Sequence, residues 1–569
     1  MKKIWKKIDE IPNIEEKTKS IQEKYNLGKI VSRVIANKNI DDNDIEKFLK
    51  PTRHDFYDPF LMPDMKRAVD RILKAIENNE RIIVYGDYDV DGITSSTILK
   101  RFMQDRGIDV GVYIPNRINE GYGLNKDAIR KIAEDGYNLM ITVDCGITAI
   151  EEVEFAKKLN MDVIITDHHE PGEELPKALA VVDCKRKDNK YQFRELAGCG
   201  VAFKLTQALA IKMQIKEDEY LKYLDIACIG TISDIVPLID ENRVIAKLGL
   251  MLVKQTRNIG LREILKLAGF KEINATTVSF GISPRINACG RMGHQEVALQ
   301  LFLTDDPLRA RELAQKLEEY NVERQNIEKR IFEEAIQCIE EIKNEINEEP
   351  DCYILGKEGW HHGVIGIVSS KITESYYKPS ILVCFEGEEA RGSGRSIEGF
   401  DIHEAVSKCN KYLTNYGGHS MAIGLGLKTN NFEKFKKEFE EYTKNNIKDE
   451  KSTPELKIDD EINQNEINIS TIKELSLLEP FGEANYEPVF IYKNLKITSI
   501  RTLTDGKHLK LGLQDIHSYI DAIGFSMGEL ADEFQIGDKV DIVGNLQINS
   551  YNNTEKIQVL LKDLRKAVL

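Results

Sequence analysis

Apolar positions along the chain fall into two rhythms. From Arg81 onward, short apolar runs at Arg81 to Tyr85, Asp109 to Ile114, Asn138 to Val143 and Asp162 to Ile165 each give way to a polar loop and then to helical spacing. Strands separated by helices in this way predict a parallel sheet covered on both faces, and such sheets collect ligands at the carboxyl ends of their strands. Between Pro307 and Glu349, Leu313, Leu317, Tyr320, Ile327 and Ile331 keep a helical period with no internal Gly or Pro. Asp306-Pro307 is a start signal and Pro350 a stop. A single helix there would span about 60 Å, enough to join two domains; two packed helices satisfy the same pattern.

A further α/β segment runs from Cys352 to about Tyr442 and ends Gly-rich, followed by a polar linker around Lys444 to Thr453. Beyond Pro454 the runs Val489 to Ile500, Leu509 to Gln514, Tyr519 to Phe525 and Val540 to Ile548, with Asn552-Asn553 as a turn, predict short strands. They fit a small barrel of the oligonucleotide-binding (OB) type, and a generic β-sandwich almost as well. The predicted organisation is an N-terminal helical segment (1–70) packing on the core, an α/β domain (71–305), a connecting helix (306–350), a second α/β domain (351–445) and a β-rich domain (454–569).

Composition narrows the function. The chain has 569 residues, too many for one hydrophobic core, and no apolar run approaching the ~20 residues needed to cross a bilayer. Its start carries lysines without an apolar segment after them, so no secretory signal is expected. Nine scattered cysteines without a Cys-x-x-Cys pair suit a reducing cytoplasm. A net charge of −15 weighs against broad duplex binding, although it leaves room for a narrow single-strand groove.

Candidate chemistry sits at the strand ends. Gly86-Asp87-Tyr88-Asp89-Val90-Asp91-Gly92 sets three carboxylates at alternate positions on a strand-to-helix turn. A calcium loop begins similarly, but the glutamate that should close it at the twelfth position is replaced by Ile98. The later strands end in Val143-Asp144-Cys145-Gly146 and Thr166-Asp167-His168-His169, and Asp234 stands alone in the apolar run Gly230 to Pro237. A lone carboxylate in such a run requires a partner or a metal. Carboxylates and imidazole without thiolate disfavour structural zinc and suit Mn2+ or Mg2+. Two ions about 3.5 to 4 Å apart would serve phosphoryl displacement, with Asp144 as the natural bridge.

These four motifs, in this order, resemble those of the DHH phosphoesterase superfamily. Carried over residue by residue, the resemblance makes Asp89 and Asp91 ligands, Asp144 the bridging ligand, His168 and Asp234 further ligands, and His169 the group that contacts or protonates the scissile phosphate. Where the pyrophosphatase branch carries a first-motif His this chain has Tyr85, and Asp87 is expected to take its place at the metal. Trp360 to Val368, Arg391-Gly392-Ser393-Gly394-Arg395-Ser396 and Gly417-Gly418-His419 resemble the DHH-associated domain of the RecJ branch. Ser283 to Met292 and Glu479 to Pro488 are RecJ-like as well, the latter with Ala484 where Gly is usual, which predicts a locally altered turn.

That resemblance implies a parallel-sheet DHH domain, a DHH-associated domain beyond the long helix, and a C-terminal OB-like barrel. It implies a 5′-to-3′ exonuclease that degrades single-stranded DNA to nucleotides in repair and recombination, with two Mn2+ or Mg2+ ions. Catalysis falls to His169, Asp144 and Arg291; substrate binding falls to Arg285, Asn287, Arg291, Arg391, Ser393, Arg395, Gly417, Gly418 and His419. Single-stranded DNA is the expected partner of a cytoplasmic monomer, with a helicase and a single-strand-binding protein as further candidates. The rival is a DHH phosphodiesterase acting on short oligonucleotides, cyclic dinucleotides or pyrophosphate, which would not need the third domain. A scaffold that has lost its metal site ranks last, because all the core ligands are present.

Overall fold

The computed structural model describes residues 3–8, 12–117, 119–346, 349–447, 453–463, 466–515, 519–551 and 554–567. The turn expected at Asn552-Asn553 lies outside them. The chain forms two units: Tyr57–Val236 with Leu248–Pro454, and Met1–Phe56 with Pro237–Lys247 and Glu455–Leu569.

In the first unit the predicted strands are present as β1 (Ile82–Gly86), β2 (Val110–Tyr113), β3 (Leu139–Val143) and β4 (Asp162–Asp167), joined by β5 (Ala180–Asp183). They form one parallel sheet in the order β2-β1-β3-β4-β5. Ile83, Tyr85, Met140, Val163 and Ile165 bury one face beneath helices Lys126–Glu134 and Ile150–Lys158. Strand alternation turns Ile82, Val84 and Ile141 to the other face, where α1 (Val90–Gln104) packs on β1 and α2 (Gly198–Lys212) on β4. Both faces being covered explains the continuous apolar runs. α3 (Leu224–Ser233) and α4 (Ser283–Arg291) complete this domain around α1.

The long element is one helix, α5 (Pro307–Ile346), of 40 residues. Leu313 and Leu317 in its first half are buried, and that half packs on the first domain through α4. Ile331, Ala335 and Ile339 in its second half share a core with Tyr353, Leu355, Trp360 and Val364 of the second α/β domain. That domain is a five-stranded sheet of β6 (Tyr353–Glu358), β7 (Ser380–Glu386), β8 (Glu389–Arg395), β9 (Leu413–His419) and β10 (Ala422–Lys428), in the order β9-β10-β8-β7-β6. Only β6 and β7 run parallel. α6 (His362–Tyr376) packs across β7 and β8.

In the second unit, β11 (Phe490–Leu503), β12 (His508–Gln514), β13 (Tyr519–Gly524), β14 (Lys539–Tyr551) and β15 (Thr554–Lys566) close a barrel. Closure comes from the parallel pairing of β13 with β15 and the antiparallel pairing of β14 with β11, which excludes the open sandwich. The N-terminal helices Ile14–Tyr25, Lys29–Asn37 and Ile45–Leu49 bury Ile14, Val31, Ile35 and Phe48 in one cluster with Phe490, Leu509 and Val540. The expectation that 1–70 packs as one piece on the catalytic core is therefore corrected: 14–49 packs with the barrel, and helix Met65–Glu77 packs on α2 and β5. An amphipathic face declares that it needs cover without naming the cover. Arg243, fully buried, ties this unit together by donating to the carbonyls of Phe48 (2.7 Å) and Glu479 (3.0 Å).

Candidate active site

The first-motif loop is shaped by close backbone approach. A Cβ on Gly92 would fall 2.3 Å from the Asp87 carbonyl oxygen, so the loop closes this tightly only with glycine there. Asp89 caps α1, accepting the Gly92 N–H at 3.1 Å. Asp91, on the first turn of α1, accepts the amides of Gly198 (2.6 Å) and Cys199 (2.8 Å) and so caps α2 from outside, where Ala197 has no side chain to do so. Asp144, just past β3, takes the left-handed conformation (φ 61°) and lies against Gly198, where a Cβ would be 2.6 Å from its carboxylate.

These side chains converge. His168 Nε2 lies 3.2 Å from Asp144 Oδ1, 3.6 Å from Asp234 Oδ2 and 3.8 Å from Asp91 Oδ2. Ligand atoms of Asp87, Asp89 and Asp144 lie within 4.8 Å of one another, as do those of Asp91, His168 and Asp234. Asp144 thus belongs to one set and touches the other. Both His168 nitrogens, Asp87 Oδ1 and Asp144 Oδ1 are buried without a hydrogen-bond partner among the described residues. Burial first, then neighbouring carboxylates, push Asp87, Asp144 and Asp234 far above the ordinary carboxylate range and raise Asp89. Such a group ionises together only around a cation, and oxygens with one imidazole are the donor set of Mn2+ or Mg2+.

His169 is held differently. Its Nδ1 meets Asp167 Oδ1 at 2.7 Å, while Asp167 also accepts the amides of His168 (2.7 Å) and Ile147 (2.9 Å). Burial opposes a charge on the ring, yet the Asp167 bond outweighs it and lifts His169 to about 9. The Tyr122 hydroxyl lies 3.3 Å from the same ring.

A second convergence joins the two α/β domains. Arg291, at the end of α4, donates to the Gly363 carbonyl of α6 at 3.0 Å. Burial, then the charges of Arg117, Arg324 and Arg395, push Arg291 down to about 9. Arg395 donates to Ser393 Oγ (3.2 Å) and the Gly394 carbonyl (2.8 Å). Arg324 is paired with Glu328, and Arg117 stacks over Tyr88, 5.0 Å from the ring centre. Across the second sheet Ser393 pairs with Gly424 and that with Gly417; Arg395 pairs with Ala422 and that with His419. Gly417 and Gly418 lie on an exposed hairpin, and a Cβ on Gly417 would meet nothing.

Not every predicted contact gathers here. Arg285 is tied to Glu318 of α5 (2.5 Å) and to the Gly281 carbonyl (2.7 Å), which uses its donors within the fold. Arg391 is half-exposed with its Nε 4.0 Å from Glu386, and Asn287 lies one helical turn before Arg291. Sequence reasoning missed Arg117, Arg324, Tyr122 and the orienting role of Asp167. The Gly121-Tyr122-Gly123 stretch was the available signal for Tyr122 and Arg117; Arg324, mid-helix with Glu328 four residues on, gave none.

The site can now be set beside known proteins. Family models match as the DHH family N-terminal domain at residues 81–231, the DHHA1 domain at 350–445 and the RecJ OB domain at 458–563. The single-stranded-DNA-specific exonuclease RecJ of Bacillus subtilis is 40% identical over 555 residues, covering 96% of this chain and 69% of its own. This chain belongs to the RecJ family. The Haemophilus influenzae RecJ is 30% identical over 90% of this chain and 93% of its own. The crystal structure of Thermus thermophilus RecJ with Mn2+ superposes with a TM-score of 0.86 at 29% identity, covering 100% of this chain and 80% of that one, and a complex with Mg2+ superposes with 0.80 at 27% identity, covering 100% and 79%. Three domain models are thus matched along the chain, and no helix among the described residues is long and apolar enough to cross a membrane.

Proposed function

We propose that this chain is a metal-dependent exonuclease that degrades single-stranded DNA from its 5′ end to nucleotides, in DNA repair and recombination. One observation carries the reading: the side chains of Asp87, Asp89, Asp91, Asp144, His168 and Asp234 converge, in the same unit as Arg291, which bridges α4 to the Gly363 carbonyl of α6. Asp87, Asp89, Asp91, Asp144, His168 and Asp234 would hold two ions, Mn2+ or Mg2+, which when bound supply an activated water and neutralise charge on the leaving oxygen. The chain's own residues do the rest. The α2 amides fix Asp91, and Gly198 lets Asp144 close against the helix. His169, held by Asp167 and raised above the ordinary imidazole range chiefly by that bond, would face the scissile phosphate and give a proton to the departing oxygen.

Arg291 and Arg395 are bonded only to carbonyl and hydroxyl oxygens among the described residues. A terminal phosphate would pair with the guanidiniums of Arg291 and Arg395, which makes a strand end the preferred ligand. Ser393 and the bare backbone of Gly417, Gly418 and His419 flank it by sheet register. In the barrel, Tyr519 and Phe525 are each 57% exposed, and Lys510, opposite Ile523, and Arg501, opposite Lys510, stand on the neighbouring strands, as suits base stacking and phosphate contact. A cytoplasmic monomer, supplied with strand by a helicase and a single-strand-binding protein, completes the reading. The test uses single strands labelled at either end. With Mn2+ the 5′ label should appear at once as mononucleotide while 3′-labelled strands shorten gradually; early release of the 3′ label, or digestion in chelator, contradicts it.

A further inference from the structure

The second α/β domain holds another group of ligand-type side chains, of different chemistry from the carboxylate centre. His362 opens α6, and Cys384 and Glu386 lie two residues apart on β7, hence on one face of the sheet. Ligand atoms of all three lie within 4.8 Å of one another. His362 Nδ1 is 3.1 Å from Glu386 Oε1, close to the ~3.3 Å that separates neighbouring ligands on a tetrahedral ion with 2.0–2.1 Å bonds. The other imidazole nitrogen, Nε2, is buried with no hydrogen-bond partner among the described residues. Cys384 is fully buried and its thiol donates to the Arg391 carbonyl, at 3.4 Å.

We propose that His362, Cys384 and Glu386 form a separate binding site for a borderline divalent cation of the Zn2+ class, with one coordination position left open. Thiolate and imidazole select Zn2+ or Co2+ over Mn2+ and Mg2+, so this site and the carboxylate centre would sort different ions. Charge balances: binding releases the thiol proton to solvent, and thiolate with carboxylate then offsets the two positive charges. The N-terminus of α6 beside it favours the thiolate form, against the burial that pushes Cys384 up to about 11; affinity should therefore rise with pH. The ion also competes for Glu386 with Arg391, whose Nε lies 4.0 Å from Oε2.

Metal-stripped full-length protein titrated with Co2+ tests this. A thiolate-to-cobalt absorption band should grow to one equivalent, vanish when Zn2+ displaces the cobalt, persist in excess Mg2+ and be absent from Cys384→Ser. Zn2+ should also raise the thermal midpoint of the wild type more than that of the variant, which keeps the carboxylate centre. Should Cys384→Ser fail to fold, Glu386→Gln, at a half-exposed position, decides: its band must be weakened or lost. No thiolate band, an unchanged band in Cys384→Ser, or unaltered Co2+ affinity in Glu386→Gln overturns the proposal.

Discussion

Asp144 and His169 stand in one centre but are held by different groups, and their loss should be felt differently. Asp144→Ala removes the carboxylate that touches both ligand sets, so hydrolysis should vanish together with tight metal binding, as measured by calorimetry. His169→Ala should keep metal affinity and slow turnover by about 10² to 10⁴-fold; a loss of affinity as large as that of His168→Ala would reverse the assigned roles. Away from the centre, Asp225 is buried on α3, and burial raises it to about 6 despite the Thr256 hydroxyl. The folded chain then keeps a proton that the unfolded chain has lost. Stability from this group is full below about pH 4 and falls as pH climbs through about 6, by roughly 3 kcal/mol in all. Asp225→Asn, which keeps the shape but loses an acceptor, should stabilise by about 1 to 2 kcal/mol at pH 7 and by nothing near pH 4 in urea unfolding. Equal effects at both pH values would clear Asp225 of this role. The carboxylates of the first three motifs and His168 were legible in the sequence because each follows closely on an apolar run that forms a strand, and Asp234 because it stands alone in an apolar run. Arg117 and Arg324 were not, since nothing local distinguishes such an arginine from a surface one, just as nothing local announces that Arg285 is tied to Glu318 and the Gly281 carbonyl.

At the scale of elements, the sheet strands and the long helix followed from periodicity, while barrel closure did not. β15 alternates Ile557, Val559 and Leu561 inward, then slips register at the Val543/Gly544 irregularity of β14, so Leu564 continues out of phase. Its parallel partner β13 is nearly forty residues away, a pairing no local pattern announces. The turn at Ala484 illustrates a local departure with a physical cost: its φ of 58° is left-handed, where an L side chain is strained. Ala484→Gly should gain up to about 1 kcal/mol after the entropy glycine returns to the unfolded chain; a loss of stability on denaturant titration would show that the methyl is packed rather than strained. Tyr519 lies across Gly512, where a Cβ would come 2.2 Å from its hydroxyl. Replacing Tyr519 and Phe525 together with Ala should weaken binding of long single strands by about 1 to 3 kcal/mol per lost stack while short oligonucleotides are still hydrolysed. Unchanged affinity in a fluorescence titration would leave the barrel a structural role. These substitutions are cleaner than deleting 454–569, which would strip the core from the helices between Ile14 and Leu49.

For the whole molecule, a net charge of −15 coexists with arginines whose charges act on the buried Arg291. Global acidity and a local cationic group are compatible because screening confines exposed charges to about 8 Å at physiological salt, whereas buried ones act undiluted at contact. On the proposed reading, in which Arg291 and Arg395 take one strand end and the carboxylate centre cuts beside it, strandedness and polarity become a single property. Purified protein with Mn2+ should be given three duplexes, blunt, with a 5′ overhang and with a 3′ overhang, each labelled at either end, and the products resolved by length. The account predicts trimming of the 5′ overhang from its end, with blunt and 3′-overhang duplexes left nearly intact. Equal trimming of all three, or digestion only from 3′ ends, would contradict it.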